Sequence, residues 1–389
     1  MPHCLVAKWV WLLQILVKIE CSVGFHWTVY SPDFTTPRTL TNTKWTLKVR
    51  PVAVFTEADA SLETEDIDLT ALAPEEVVIV TEVLSVDAFL RTMLDEEAYH
   101  GSIVLGGTLP AMGIGKVVAV GSAAKLSVGS KCIGLLGAQT VAKLVPGPMG
   151  PHKLVNFPGV QERASLGLLG LTTGITAWVG VNSVARPPRA GETVVVTVAA
   201  GAVGSIAAQL CLSAGARVIG VAGGVAKCAY LLDDLKLHGA VDYKSTTQTV
   251  DEQLATLCPN GVDFFYDNAG GAVLDCVLRQ INGGGRVVIC GAASQYNGNL
   301  NKGGVQGPSE YLKLAEKGAS MTGFNVMQHM PSVAMAVPAM LWHHARGTVV
   351  LREQVEVGIA SFPKAMEQMF TGGHIGRLLV DVRGRLEPH

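Results

Sequence analysis

From Trp45 onward, short apolar runs alternate with polar breaks that carry Gly and Pro; the runs Thr46–Val54, Glu76–Leu84, Gly115–Val120 and Lys131–Leu136 are rich in aliphatic and β-branched residues. Runs this short, bounded by turn residues, predict strands, and several in succession predict a compact, barrel-like β domain. After Ala164 the period changes. Leu166–Val181 is apolar over a helix-length stretch, and the segment Arg186–Glu192, with Pro187, Pro188 and Gly191, separates it from the next strand. Strand-like runs then appear at Thr193–Val198, Arg217–Val221, Asp263–Asp267 and Arg286–Cys290, with amphipathic segments at Ser205–Ala214 and Ala226–Leu237 between the first of them. Strands alternating with helices predict an α/β fold, a doubly wound parallel sheet covered on both faces. A helical segment from Pro331 through Ala345 leads to a last strand-like run, Arg377–Val382, placed to return to the first domain.

Residues 1–44 are patterned differently. Cys4–Val17 is mostly apolar but is interrupted by Lys8 and Gln14, and it is shorter than the ~20 residues that a membrane-spanning helix needs. It has the length of the apolar core of a signal peptide, yet Lys8 lies inside it and no small-x-small cleavage site comes after it, so targeting segment, interfacial anchor and plain extension are all open readings. Thr35–Thr43, rich in Thr and Pro, reads as a linker. The expected division is an extension over 1–44, a β-rich domain over 45–173, a parallel α/β domain over 174–344 and a return to the first domain over 345–389.

Composition narrows the function. A chain of 389 residues, 49% hydrophobic and 16% charged, buries a substantial core in two or three domain-sized units. With 30 Lys and Arg against 32 Asp and Glu there is no cationic excess to neutralise phosphates along a polymer, so nucleic acid is a poor partner and a small organic substrate the better one. Cysteines at 4, 21, 132, 211, 228, 258, 276 and 290 form no C-x-x-C pair, the pattern of reduced thiols in a cytoplasmic setting.

The most informative stretch runs from Thr193 to Ala214, where an apolar strand enters Ala199-Ala200-Gly201-Ala202-Val203-Gly204-Ser205 and then an apolar-faced helix. Gly201 lets the backbone approach a pyrophosphate, Gly204 lets helix pack closely on strand, and the free N–H groups at the helix start are phosphate donors. Ala199 stands where the G-x-G-x-x-G fingerprint has its first glycine. A strand–turn–helix of this kind can also serve packing alone. The next strand separates NADP from NAD: an acidic residue near its end would bond the ribose 2′-hydroxyl, whereas Arg217–Val221 ends in Ala222-Gly223-Gly224 with Lys227 just beyond. NADPH is therefore the expected coenzyme. Tyr243 either adds a hydroxyl donor to the 2′-phosphate or packs its ring at a strand end.

Together LSVDAFLR (84–91), AAGAVGS (199–205), GVAGGVAKCAYL (220–231), VDYK (241–244), YDNAGG (266–271) and CGAASQYN (290–297) resemble the zinc-free medium-chain dehydrogenase/reductase family, the group that includes prostaglandin reductases, plant alkenal double-bond reductases and bacterial curcumin reductases. The resemblance spans Trp45 to Val382 and implies a GroES-like barrel joined to a Rossmann domain, a homodimer, and NADPH-dependent reduction of the carbon–carbon double bond of enals and enones. It assigns the pyrophosphate turn to Gly201, Ala202, Val203 and Gly204, and the 2′-phosphate to Lys227 and Tyr243, with Gly223 beside them. Asn268, the segment Cys290, Gly291, Ala292 to Tyr296, and Phe324, Asn325 and Val326 fall beside the nicotinamide. Two departures stand out: the family's Pro-Tyr-Met is here Ala88-Phe89-Leu90, and its Gly-Glu-Asn is Gly372-Gly373-His374.

Zinc-dependent relatives need thiolate and imidazole ligands. This chain has Ser85 where they place a cysteine and Ala111-Met112 where they place His-Glu, so no metal is expected. Hydride transfer to the β-carbon drives charge onto the carbonyl oxygen, and a neutral tyrosine hydroxyl suits that developing charge. Tyr296 is the candidate, with coenzyme orientation as its alternative role. Arg91 and Tyr99 are candidates for the substrate pocket, against plainer readings as a salt-bridged arginine and a loop tyrosine. A quinone reductase and a non-catalytic nucleotide-binding protein are the competing functions.

Overall fold

In the computed structural model, which describes residues 38–98, 101–297 and 307–384, the strand-rich first part of the chain builds antiparallel ladders. Thr39–Leu47 (β1) pairs with Ala60–Asp68 (β2), Thr39 opposite Asp68 and Leu47 opposite Ala60. Val77–Ser85 (β3), Met112–Val120 (β4), Lys131–Leu135 (β5), Val141–Leu144 (β6) and His152–Lys153 (β7) supply most of a second sheet. The linker expected over Thr35–Thr43 is therefore corrected from Thr39 onward, and the strand expected over Thr46–Val54 ends at Leu47. Asn42 explains the first error: it is fully buried, its Oδ1 accepts the Val141 N–H at 3.0 Å and its Nδ2 donates to Gln139 at 2.9 Å. A Thr-rich strand looks like a linker until its partners are known. Trp45 and Leu47 enter the core, whereas Val49 and Val52 are exposed beyond the last ladder bond. Cys4–Val17 lies outside the described residues.

The expected helix over Leu166–Val181 is also corrected. A 3-10 turn at Glu162–Leu166 and a wide turn at Leu171–Ile175 precede an α-helix confined to Thr176–Asn182. A side chain at Gly174 would begin 1.7 Å from the Leu168 carbonyl oxygen, so the backbone doubles back where a continuous helix would run straight.

Six parallel strands come next: Thr193–Thr197 (β8), Arg217–Ala222 (β9), Gly239–Asp242 (β10), Val262–Asp267 (β11), Ile281–Ile289 (β12) and Ser320–Gly323 (β13), in the order β10-β9-β8-β11-β12-β13. Every residue of β8 is buried, as a central strand covered on both faces demands. Val194, Val196, Phe264 and Tyr266 pack on one face, and Val195, Phe265, Ile219 and Val287 on the other, with the alternation that strands impose. From β8 the chain moves outward through β9 and β10 and then returns to the other side of β8 with β11. That reversal opens a crevice at the carboxyl ends of β8 and β11.

The last strands go home. Glu353–Val357 (β14) lies parallel to Arg377–Asp381 (β15), and β15 pairs antiparallel with β3, Leu379 opposite Ser85. On the way Gly376 donates its N–H to the Ala200 carbonyl at 2.7 Å, so the returning segment touches the Gly-rich turn. No helix among the described residues is long and apolar enough to cross a membrane.

Candidate functional site

Because all six strands of the parallel sheet run the same way, their carboxyl ends form one edge, and the candidate residues lie along it in strand order. Tyr243 follows β10, Gly223 follows β9, Gly201 to Gly204 follow β8, Asn268 follows β11, Cys290 to Ala292 follow β12 and Phe324 follows β13. Neighbouring strands stand ~4.8 Å apart, so the edge is a strip suited to an extended ligand.

At its centre the turn takes a left-handed step at Val198, φ 51°, rather than at Ala199. A β-branched residue is strained there. Gly201 caps the helix Ala202–Ser213 and donates its N–H to the Val198 carbonyl at 2.8 Å. A side chain at Gly204 would begin 2.2 Å from that same oxygen, so only glycine lets the helix lie against the turn. Ala202 and Val203 open the helix, where backbone N–H groups lack intrahelical partners.

The outer end of the strip is cationic. A side chain at Gly223 would begin 2.7 Å from the Tyr243 ring, so the ring covers the end of β9. Lys244 Nζ lies over the Tyr243 ring, 5.9 Å from its centroid. Both Lys244 Nζ and Lys227 Nζ lie within 3.7 Å of the point where a Gly372 side chain would begin. Burial, and then Lys244, push the Lys227 ammonium below its ordinary value. Asp242, the nearest acid in sequence, spends one oxygen on the Gly224 and Lys244 N–H groups at 2.7 and 2.9 Å and so shapes the turn. His374 is buried; its Nδ1 lies 3.2 Å from the Gln368 carbonyl, and burial, helped by Lys227, pushes the imidazole down to about 4. Gly223, Lys227, Arg352, Gly372, Gly373 and His374 line a cleft of about 1030 Å³.

The inner end carries no lysine or arginine among the residues named for it and is internally bonded. Thr197 Oγ1 donates to Asp267 at 2.7 Å and accepts the Asn268 N–H at 2.7 Å, while Asn268 Nδ2 donates to the Thr197 carbonyl at 2.8 Å. Asn268 thereby ties the ends of β8 and β11 together at the crevice. Cys290 donates its N–H to the Asp267 carbonyl at 2.8 Å, and burial pushes its thiol up to about 12, so it stays protonated. Tyr296 folds back over this loop: its hydroxyl accepts the Ala292 N–H at 3.2 Å, and a side chain at Gly291 would begin 2.8 Å from it. Burial raises the Tyr296 hydroxyl above its ordinary value. It is a neutral group whose own proton is not used in the bond to Ala292. Phe324 fills the space beside Gly180, Asn325 Oδ1 accepts the Met327 N–H at 3.0 Å to cap a short turn, and Val326 packs on the core.

Comparison with known proteins agrees with this geometry. A family model described as "Zinc-binding dehydrogenase" matches residues 202–340, and one described as "N-terminal domain of oxidoreductase" matches residues 43–149. Prostaglandin reductase 1 of Mus musculus is 32% identical over 86% of this chain and 98% of that reductase. The chain belongs to the medium-chain dehydrogenase/reductase family. It is an oxidoreductase of that family, with a Rossmann domain and a GroES-like domain. NADPH-dependent curcumin reductase of Escherichia coli is 28% identical over 88% of this chain and 97% of its own length. The crystal structure of CurA from Vibrio vulnificus in complex with NADPH superposes with a TM-score of 0.78 at 28% identity, covering 89% of this chain and all of that one.

Within this medium-chain reductase Arg91 is not a pocket residue. It has no exposed surface, pairs with Asp95 at 2.8 Å and donates to the carbonyls of Pro51 and Ala53 at 3.1 and 3.0 Å, so it fastens the loop before β2. Tyr99 lies outside the described residues. Ser85 donates to Asp87 at 2.5 Å and is also bonded by Arg377, whose Nη1 lies 2.7 Å from Asp87. Ala111 is fully buried and Met112 opens β4. Among the described residues no group of three or more His, Cys, Asp or Glu side chains is placed to hold a metal ion. Sequence reasoning passes over Thr197 and Lys244; Lys244 carries a signal, since it follows Tyr243 in the VDYK motif, but its approach to Lys227 is not visible in the chain.

Proposed function

We propose that this protein uses NADPH to reduce the carbon–carbon double bond of small α,β-unsaturated aldehydes and ketones, without zinc. The carrying observation is the gradient along the strip, from two ammonium groups at one end to a neutral, buried tyrosine hydroxyl at the other. The residues fit NADPH: glycines stand where side chains would fill the turn, and Lys227 with Tyr243 would hold the adenosine 2′-phosphate. Gly201 to Gly204 would hold the pyrophosphate, and Cys290 to Ala292, Tyr296 and Phe324 would border the nicotinamide. When bound, the reduced nicotinamide supplies a hydride to the β-carbon of the substrate. Charge then moves to the carbonyl oxygen, and the Tyr296 hydroxyl, held from behind by the Ala292 N–H, donates to it. A proton delivered to the α-carbon by Tyr296, the ribose hydroxyl or water completes the reduction. The curcumin, prostaglandin and alkenal reductases among the relatives support this reading.

Two further parts of the reading rest on the described surface. A homodimer is supported by β13, which ends the parallel sheet among the described residues and offers an edge that a second copy could extend. A cytoplasmic, reducing location is supported by the unpaired, mostly buried cysteines at 132, 211, 228, 258, 276 and 290. The test is loss of NADPH absorbance with a panel of enals, enones and quinones, with NADH as control. Turnover of a short enal or enone with NADPH is expected; turnover confined to quinones, or none at all, would sink the proposal.

A further inference from the structure

Resting on the NADPH reading above, we infer that Lys244 is a coenzyme-specificity residue that works partly by repulsion: paired with Lys227, it penalises NADH as well as favouring NADPH.

Each lysine comes from a different strand end, Lys227 after β9 and Lys244 after β10, and both ammonium groups lie within 3.7 Å of the point where a Gly372 side chain would begin. No carboxylate of the described residues forms an ion pair with either. Asp242, close by in the chain, faces the backbone N–H groups of the turn. Lys244 cannot swing freely into solvent at no cost, because its ammonium rests over the Tyr243 ring, an attractive place for a cation. Lys227 is partly buried beside it, where like charges are less screened than at an open surface. The neutral imidazole of His374 adds no negative charge.

Such a pair is relieved by an anion placed between its members. A phosphate ester on the adenosine ribose carries about −1.5 to −2 charges near pH 7. NADH brings a hydroxyl to the same place and leaves the repulsion standing while it displaces the water that screened it. Discrimination therefore has two parts, attraction for the phosphate and a penalty on its absence.

The experiment measures the dissociation constants of NADPH and NADH for the full chain by coenzyme fluorescence, in the wild type, Lys244→Met and Lys244→Arg. Lys244→Met is expected to bind NADPH about tenfold more weakly and NADH about threefold more tightly, and Lys244→Arg to keep the wild-type ratio. A merely structural lysine would weaken both coenzymes together. Unchanged or weaker NADH binding in Lys244→Met, with circular dichroism and the Arg variant showing an intact fold, overturns the repulsive role while leaving the NADPH reading in place. A wild type that binds neither coenzyme overturns both.

Discussion

The outer and inner ends of the strand edge solve opposite problems with the same backbone. At the outer end Lys227 and Lys244 bring like charges near one another with no ion-paired carboxylate among the described residues, and His374 is kept neutral beside them. At the inner end Asp267, Thr197 and Asn268 bond one another, and the Tyr296 hydroxyl accepts the Ala292 N–H. Imbalance at one end makes a place that awaits an anion. The internal bonding at the other would, on the proposed reading, hold the Tyr296 hydroxyl as a donor that need not reorganise as charge develops. On the proposed reading, the parts that would select the coenzyme and stabilise the reacting oxygen lie at different strands of the one sheet edge.

Gly204 is where both ends can be broken at once. Gly204→Ala places a methyl group 2.2 Å from the Val198 carbonyl oxygen, and the helix Ala202–Ser213 must move away. A loss of about 3 kcal/mol in denaturant-measured stability is expected, together with about 100-fold weaker binding of NADPH and NADH alike. Equal loss for both coenzymes distinguishes this shared hinge from either end.

His374 sharpens the outer end. Its imidazole titrates near about 4 in the folded protein against an ordinary 6.5, depressed first by burial and then by Lys227. Between those values the unfolded chain takes up a proton that the folded imidazole refuses. Stability is therefore fully kept above pH 6.5 and falls as the pH drops toward 4, by up to about 3 kcal/mol from this group. Urea unfolding at pH 7 and pH 4.5 checks the sign: His374→Asn should lose clearly less stability than the wild type on acidification.

Tyr296→Phe isolates the inner end. It removes the hydroxyl and leaves the Ala292 N–H without its partner, so kcat on an enone is expected to fall about 100-fold. The ratio of NADPH to NADH affinity should not move, because nothing at Lys227 or Lys244 has changed. A shift in that ratio would show that the two ends are not separate.

Legibility depends on distance along the chain. Gly201, Gly204 and Lys227 are readable because a strand, a turn and a helix in immediate succession confine the backbone locally. Lys227 comes with a further signal, the missing acidic residue after β9. For Arg91 the sequence leaves pocket residue and salt-bridged arginine both open, because a single arginine near a loop carries no mark of burial; its partners are Asp95 one helical turn on and carbonyls at Pro51 and Ala53 in another segment. Thr39–Thr43 reads as a linker for the same reason, since its strand character is supplied by Ala60–Asp68 and by Asn42 reaching Gln139.

Period, punctuation and the spacing of glycines were enough to establish a barrel-like domain, a parallel sheet and a Gly-rich turn from strand to helix, because each is a property of consecutive residues. Folding alone brought Lys227 to Lys244 across Gly372, placed His374 beside them and used Arg377 to hold Asp87 and Ser85. Whether a charge is compensated depends on every group that comes near it. Those neighbours come from segments far apart in the chain, and their meeting is a product of packing.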